Sequence, residues 1–344
     1  MSEHHPYEAL TPEVVLDAVE STGLLSDARL FTLNSYENRV YQVGIEGHQP
    51  LIAKFYRPLR WSDEAILEEH QFCRQLAEQE LSVVAPLSAE ELVSRYQAES
   101  AETLAPEQTL FNSQGFRFAL FPRQGGRPPE LDNPEHLYQL GMAMGRIHLA
   151  GAATQYQHRP ELSIERLGED SRDFLLTSPL LPDYLKDDYQ QVTSQLLVLL
   201  KQHFAAAGQV KRLRVHGDCH PGNVLWRDEQ PHFVDFDDSV MAPAIQDLWM
   251  LLSGDAPQQR LQLAELLEGY ETFADFDRRE LYLIDALRTL RLMYYSAWLA
   301  RRWDDPAFPI HFPWLGRDDY WAGHLTSLHQ QRHALEAAEH FWKE

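Results

Sequence analysis

Apolar and polar positions change their period along this chain, and the changes divide it into regions. Residues 11–25 (TPEVVLDAVESTGLL) carry apolar side chains at helical spacing as far as Gly23, which predicts a short amphipathic helix. The pattern then shifts to β-branched and aromatic residues. Segments 28–34 (ARLFTLN), 39–46 (RVYQVGIE) and 50–56 (PLIAKFY) are joined by short polar stretches and predict three consecutive antiparallel strands. Ser62, followed by Asp63 and Glu64, has the chemistry of an N-cap with acids in the first turn, and predicts a helix through Gln79. Residues 116–126 (FRFALFPRQGG) read as a strand running into a glycine-rich connection.

From about residue 133 helical spacing dominates, with helices predicted over 135–150, 183–206, 243–253, 256–273, 278–302 and 318–340. Between the second and third of these, strand-like pieces at 224–227 and 232–235 are flanked by polar loops. The expected fold class is α+β. A small β-rich lobe, residues 1–121, is joined by a hinge near 121–127 to a larger, mainly helical lobe, residues 122–344.

Composition narrows what such a chain does. With 44% apolar residues, 344 residues suffice to bury a sizeable core. Lys and Arg total 30 against 52 Asp and Glu, a formal charge of −22, so phosphate backbones are repelled over most of the surface and no nucleic-acid partner is expected. Only Cys73 and Cys219 are present, which excludes a disulfide framework and suits a reducing compartment. Residues 1–10 lack an apolar signal core, and the most apolar stretches, 196–200 and 292–300, fall far short of the ~20 residues that span a bilayer. A soluble, cytoplasmic monomer without membrane association is expected.

The strongest chemical signal is His216-Gly217-Asp218-Cys219-His220-Pro221-Gly222-Asn223, followed by Val234-Asp235-Phe236-Asp237. Kinase catalytic loops place Asp and Asn five residues apart, with a metal-binding Asp beyond a short hairpin, because three tasks meet at one phosphoryl group. Asp218 would orient the attacking hydroxyl and take its proton, while Asn223 and Asp235 would offer hard oxygen ligands to Mg²⁺ on the nucleotide phosphates. Gly217 and Gly222 would permit tight turns there. A zinc site on His216, Cys219 and His220 lacks a second Cys/His pair at suitable spacing. The pattern predicts a protein-kinase-like two-lobed fold.

Such a fold requires a lysine on the third strand and a glutamate on the following helix to orient the α and β phosphates of ATP. Lys54 lies between apolar neighbours in that strand, and Glu68 and Glu69 both lie on the helix. The loop Asn34-Ser35-Tyr36-Glu37-Asn38 has no G-x-G-x-x-G. Either its N–H groups and the Ser35 hydroxyl cover phosphates, or it is an ordinary polar turn. Asp237 adds charge near a second Mg²⁺ or faces solvent, and Asp238 extends the same acidic patch. Asp247 ties down the catalytic loop or favours a helix N-terminus, and His148 packs between helices. The stripe Leu283, Leu287, Leu290, Tyr294 and Ala297 reads as core.

These residues resemble the aminoglycoside phosphotransferase and choline kinase superfamily, whose loop also reads H-G-D with Asn five residues after the Asp. Within it the similarity is greatest to a group of bacterial stress-response kinases, through NSYENRVYQV (34–43), EEHQFCRQL (68–76), GRIHLAG (145–151), VHGDCHPGNVLWRD (215–228), VDFDDSVMAPAIQDLW (234–249) and RRWDDPAFPIHFPWLG (301–316). The resemblance implies an ATP- and Mg²⁺-dependent serine/threonine protein kinase that labels itself and acts in stress response. It implies Asp218 as proton acceptor, Asn223 and Asp235 as metal ligands, Ser35 at the phosphates, and Lys54 with Glu69 as the nucleotide-orienting pair. The A-P-E segment of eukaryotic protein kinases is missing. A kinase acting on an amine alcohol, homoserine or an aminoglycoside is the competing expectation, favoured by the acidic composition.

Overall fold

The computed structural model describes residues 5–99 and 104–337. Helix α1 (Pro12–Glu20) starts where the Thr11 hydroxyl accepts the Val14 N–H and Pro12 takes the position where a missing N–H is harmless. It stops before residue 25 because the Ser21 and Thr22 hydroxyls bond back to the carbonyls of Ala18 and Val19, which draws the last turn away from helical pairing. Strands β1 (Ser26–Thr32), β2 (Arg39–Ile45) and β3 (Leu51–Phe55) follow, then α2 (Asp63–Glu78), α3 (Ala89–Tyr96), β4 (Phe111–Ser113) and β5 (Phe116–Pro122). The five strands form one antiparallel sheet in the order β1-β2-β3-β5-β4.

Alternation along β3 decides what that sheet presents. Leu51, Ala53 and Phe55 enter the small core shared with α1, so Lys54, paired in register with Val40 and Ala119, points to the opposite face. Ser62 caps α2 by accepting the Ala65 N–H, as its sequence signal predicts. The far end of α2 places Phe72, Cys73 and Leu76 in the larger core of the helical region. Apolar periodicity does not reveal α3 or β4, which are too short for it, although Ser88 and Glu91 have the spacing of a helix cap. Helix α3 rests on a reciprocal cap between Ser88 and Glu91.

The larger region contains α4 (Pro134–Gly151), a π-helical turn (Glu165–Glu169) running into α5 (Asp170–Thr177), and α6 (Asp183–Ala207). Short strands β6 (Leu213–Val215), β7 (Val224–Arg227), β8 (Gln230–Phe233) and β9 (Val240–Ala242) come next, pairing β6 with β9 and β7 with β8. Helices α7 (Ile245–Leu248), α8 (Ala256–Tyr270), α9 (Ile284–Arg301), α10 (Ala307–His311) and α11 (Asp318–Ala337) complete it. The strand expected at 232–235 begins two residues earlier because Asp228 and Glu229 both take positive φ, closing a two-residue hairpin that pairs Arg227 with Gln230. The helix expected over 243–253 is only one α-turn followed by a 3₁₀ turn, Trp249–Leu251, and α9 is preceded by the 3₁₀ turn Arg278–Leu283. Positions 338–340 of the last predicted helix lie outside the described residues.

The architecture is thus a small antiparallel-sheet lobe against a larger helical one, the kinase-like arrangement that the sequence predicts. Among the described residues no helix is long and apolar enough to cross a membrane.

Candidate active site

The catalytic-loop motif spans the end of β6, the loop to β7 and the turn after β8, and three features shape it. Gly217 adopts φ +87°, and a Cβ there would meet the Asp238 carbonyl oxygen at 2.1 Å, so only glycine fits. Gly222 does not need that freedom and sits in the 3₁₀ turn Pro221–Asn223, capped by His220 Nδ1 accepting its N–H at 3.0 Å. Asp235 takes the left-handed conformation at φ +60°, which turns its carboxylate out of the strand direction as the chain enters the next turn.

Buried hydrogen bonds fix the rest of the loop. His216 donates from Nε2 to the Val234 carbonyl at 2.9 Å and accepts the Asp218 N–H on Nδ1 at 3.3 Å, which assigns one tautomer. Asp247, fully buried on α7, accepts the backbone N–H groups of His216 and Gly217, each at 2.8 Å. Of the two roles its sequence position offered, the structure displays loop anchoring. His148 supports it from α4, with Nε2 3.0 Å from Asp247 and Nδ1 3.2 Å from the Tyr270 hydroxyl. Cys219 points into the core against Met144, away from His216 and His220, and burial pushes its thiol pKa well up.

Asp218, Asn223 and Asp235 line one cavity of about 450 Å³, with Ser35 on the facing loop 34–38. Asn223 donates from Nδ2 to the Asp218 carbonyl at 2.9 Å, so its amide oxygen is the free end. Asp218 is held by Arg291 of α9, whose Nη1 lies 2.6 Å from Oδ1. Behind the cavity, Lys54 Nζ is 2.8 Å from Asp235, 3.3 Å from Asp237 and 4.0 Å from Glu69. Burial opposes the charge on Lys54, but Asp235, Asp237 and Glu69 together hold its pKa well above the ordinary value.

Glu69 and Glu68 are separated by the structure. Glu69 is buried between Lys54 and Arg159, the latter at 3.6 Å, and burial raises its pKa against the pull of both cations. Glu68 faces away and accepts the N–H groups of Gln157, His158 and Arg159. Asp237 does not face solvent: it is buried against Arg60 and Lys54, and although burial opposes its charge, Arg60, Lys54 and Arg159 hold its carboxyl well below the usual range. Arg60 also pairs with Asp238. Tyr294 departs from the core stripe expected of α9 and lines the cavity instead.

Sequence reasoning missed the arginines. Arg60, Arg159 and Arg291 neutralise the site's carboxylates, yet none lies in a motif, and each reaches the site from a different element. The one available signal was the acidic density of 235–238, which a fold must offset with cations.

Comparison with known proteins identifies the family and the fold. The family described as "Phosphotransferase enzyme family" matches residues 31–283. The chain is 43% identical to stress response kinase A of Escherichia coli (strain K12), over 96% of this chain and 95% of that one. It is 42% identical to serine/threonine protein kinase RdoA of Salmonella typhimurium, over 96% and 94%. Among solved structures, amicoumacin kinase hAmiN, in complex with AMP-PNP, Ca²⁺ and Ami, superposes with a TM-score of 0.71 at 20% identity, covering 98% of this chain and 96% of that one. A microcompartment-associated aminopropanol kinase gives 0.68 at 14% identity, covering 94% and 96%. At these identities the two structures speak to fold alone.

Proposed function

This chain belongs to the phosphotransferase enzyme family, and from that premise we propose that it transfers the γ-phosphoryl group of ATP to serine or threonine hydroxyls of proteins, its own included. The observation that carries the reading is the meeting of Asp218, Asn223 and Asp235 on one cavity wall, with Lys54 bonded to Asp235 behind them. The stress-response role is taken from the names of the relatives, and the acceptor class from the kinase RdoA.

Asn223 and Asp235 fit a magnesium ion. One amide oxygen and one carboxylate are hard donors, and Mg²⁺ in nucleotide sites takes one or two such protein ligands beside phosphates and water. Bound there, the ion would offset phosphate charge. Lys54 would exchange its bond to Asp235 for the nucleotide phosphates, while Glu69 and Arg159 keep its stem aligned. Ser35 and the N–H groups of its loop would cover the phosphates from the sheet side. Asp218 would accept the hydrogen bond of the acceptor hydroxyl, orient it in line, and take the proton as the new phosphate ester forms.

A second reading, a kinase of a small amine alcohol, homoserine or an aminoglycoside, is favoured by the aromatic wall of Tyr294, Tyr295 and Trp298 along the cavity. Labelled ATP and Mg²⁺ are incubated with the protein alone, then with a serine peptide, then with choline, homoserine or kanamycin. Phosphoserine or phosphothreonine on protein, lost by orders of magnitude in Asp218→Asn with calorimetric Mg·ATP affinity retained, supports the proposal. Asp235→Ala should weaken that affinity. Phosphate found only on an added small molecule would put the second reading in its place.

A further inference from the structure

Charges along the cavity do not balance locally. Its carboxylates all have basic partners: Glu37 has Arg57 and Arg302, Asp235 and Asp237 have Lys54, Asp238 has Arg60, and Asp218 has Arg291. Arg166 is the exception among the cations. It lines the same cavity, and no acceptor for its guanidinium exists among the described residues, the bond at that position being from its backbone N–H to Ser163. Burial lowers its pKa, partly countered by Tyr294 and Asp238, with Arg60 and Arg159 lowering it further. A guanidinium stays charged in proteins, so Arg166, half-buried, 5.8 Å from the Trp61 ring centroid and within electrostatic reach of Asp238, is a cation on the cavity wall without a hydrogen-bonded anion.

The position is rigidly built. Arg166 sits in the π-helical turn Glu165–Glu169, a geometry that adds a residue to one turn and recurs at functional sites. Gly168 in that turn allows close contact with α6 and α9: a Cβ there would meet Leu197 Cδ2 of α6 at 2.9 Å and Leu290 Cδ2 of α9 at 3.2 Å. The next residues of α9 are Arg291, on Asp218, and Tyr294, whose hydroxyl also lacks a partner among the described residues and faces the cavity. Arg166 and Tyr294 therefore lie near each other on packed elements and line the same cavity as Asp218.

We propose that Arg166, with Tyr294, binds an anionic group carried by the acceptor next to its reacting hydroxyl, so that the preferred acceptor is a serine or threonine flanked by acidic side chains. This rests on the reading that the acceptor hydroxyl docks at Asp218. A carboxylate there would satisfy the guanidinium with charge-assisted bonds, whereas a cationic flank would meet Arg166 and Arg291. In a chain of formal charge −22, and in a cavity lined by Glu37, Asp218, Asp235, Asp237 and Asp238, one arginine without a bonded anion points to selection for a specific partner, not to bulk attraction.

The test compares serine peptides flanked by glutamate, alanine or lysine, and in parallel glycerate against choline, with the wild-type protein, Arg166→Gln and Arg166→Lys. Expected is a kcat/KM at least ~10-fold higher for the glutamate peptide than for the lysine peptide, corresponding to about 1.4 kcal/mol. That ratio should collapse toward one in Arg166→Gln, mainly through KM, and recover in part in Arg166→Lys. Equal use of the peptides, a preference for lysine or choline, or an acidic preference that survives in Arg166→Gln overturns the inference. Phosphorylation of glycerate but of no peptide, again dependent on Arg166, would uphold the anionic acceptor while rejecting the protein-kinase reading on which it was built.

Discussion

Asp247 holds the N–H of Gly217 at 2.8 Å, and through that bond a residue on a one-turn helix sets the path of the loop that carries Asp218. Its other oxygen takes the His216 N–H and faces His148. Asp247→Ala should leave two buried N–H groups and His148 Nε2 without partners, costing about 2–5 kcal/mol in urea melts and nearly all turnover. Burial works to raise the Asp247 pKa, but the bond from His148, the nearby imidazoles of His148 and His216 and the Gly217 N–H outweigh it, leaving the carboxyl below its usual value. Its stabilisation is therefore present above the unfolded carboxyl range and lost only as pH falls through the lower folded value. A variant that melts with the wild type would show that the loop is held by other bonds.

Asp305 joins the two lobes. Buried in the segment after α9, it accepts from Arg39 of β2 at 2.9 Å and from Arg57, beyond β3, at 2.6 Å. Glu37, in the loop facing the catalytic residues, is tied to the same region by Arg302 at 2.7 Å and Trp298 Nε1 at 2.5 Å. Asp305→Asn keeps the shape but removes the charge that both arginines face. Loop 34–38, which the proposed reading puts over the phosphates, should loosen, raising KM for ATP several-fold with a smaller change in kcat, since the loop that carries Asp218 is untouched. Steady-state kinetics against ATP decides it, and an unaltered KM would deny the segment 301–316 any part in nucleotide binding.

What the sequence disclosed follows from how local each signal is. Asp218, Asn223 and Asp235 lie within eighteen positions, two on one loop and the third beyond the β7–β8 hairpin, and Ser62 announces α2 by a cap that needs no distant partner. Lys54 was legible because strand alternation fixes its side. Glu69 could not be told from Glu68 by pattern, since the two differ only in which side of α2 meets Arg159. The arginine partners, the Asp305 bridge and the placement of Tyr294 on the cavity depend on contacts between elements far apart in the chain, and periodicity holds no record of those.

Helices α4 and α8 meet through glycines. A Cβ on Gly141 would lie 2.0 Å from the Leu266 carbonyl oxygen, one on Gly145 2.6 Å from that of Tyr270, and one on Gly269 2.0 Å from that of Tyr138. These obstacles are backbone atoms, so the helices must move apart. Gly141→Ala gains helix propensity worth about 1 kcal/mol but should lose more than that through overpacking, with a net fall in stability of at least ~1–3 kcal/mol. Chemical denaturation measures it, and a stabilised variant would mean that α4 can shift without cost.

Glu280 gives the clearest dependence on pH. It is buried in the 3₁₀ turn before α9, where Oε2 accepts the Ile245 N–H at 2.9 Å and so anchors the start of α7, the helix that carries Asp247. Burial pushes its carboxyl up to about 7 from the ordinary 4.5, the Ile245 bond opposing and Asp277 adding to the rise. Below pH 4.5 both folded and unfolded chains hold the proton. Between 4.5 and 7 the unfolded chain has released it and the folded one has not, so stability falls as pH rises through this window and levels off above it, a total of about 3 kcal/mol from this group. Glu280→Gln keeps an acceptor for Ile245 and cannot ionise. Its melting temperature should match the wild type near pH 4.5 and exceed it at pH 8, where the wild-type carboxylate is charged in a buried place. Scanning calorimetry of both proteins across that range settles the point: parallel curves would locate the titration elsewhere, and a variant less stable at pH 8 would mean that the charged form is the one the fold prefers.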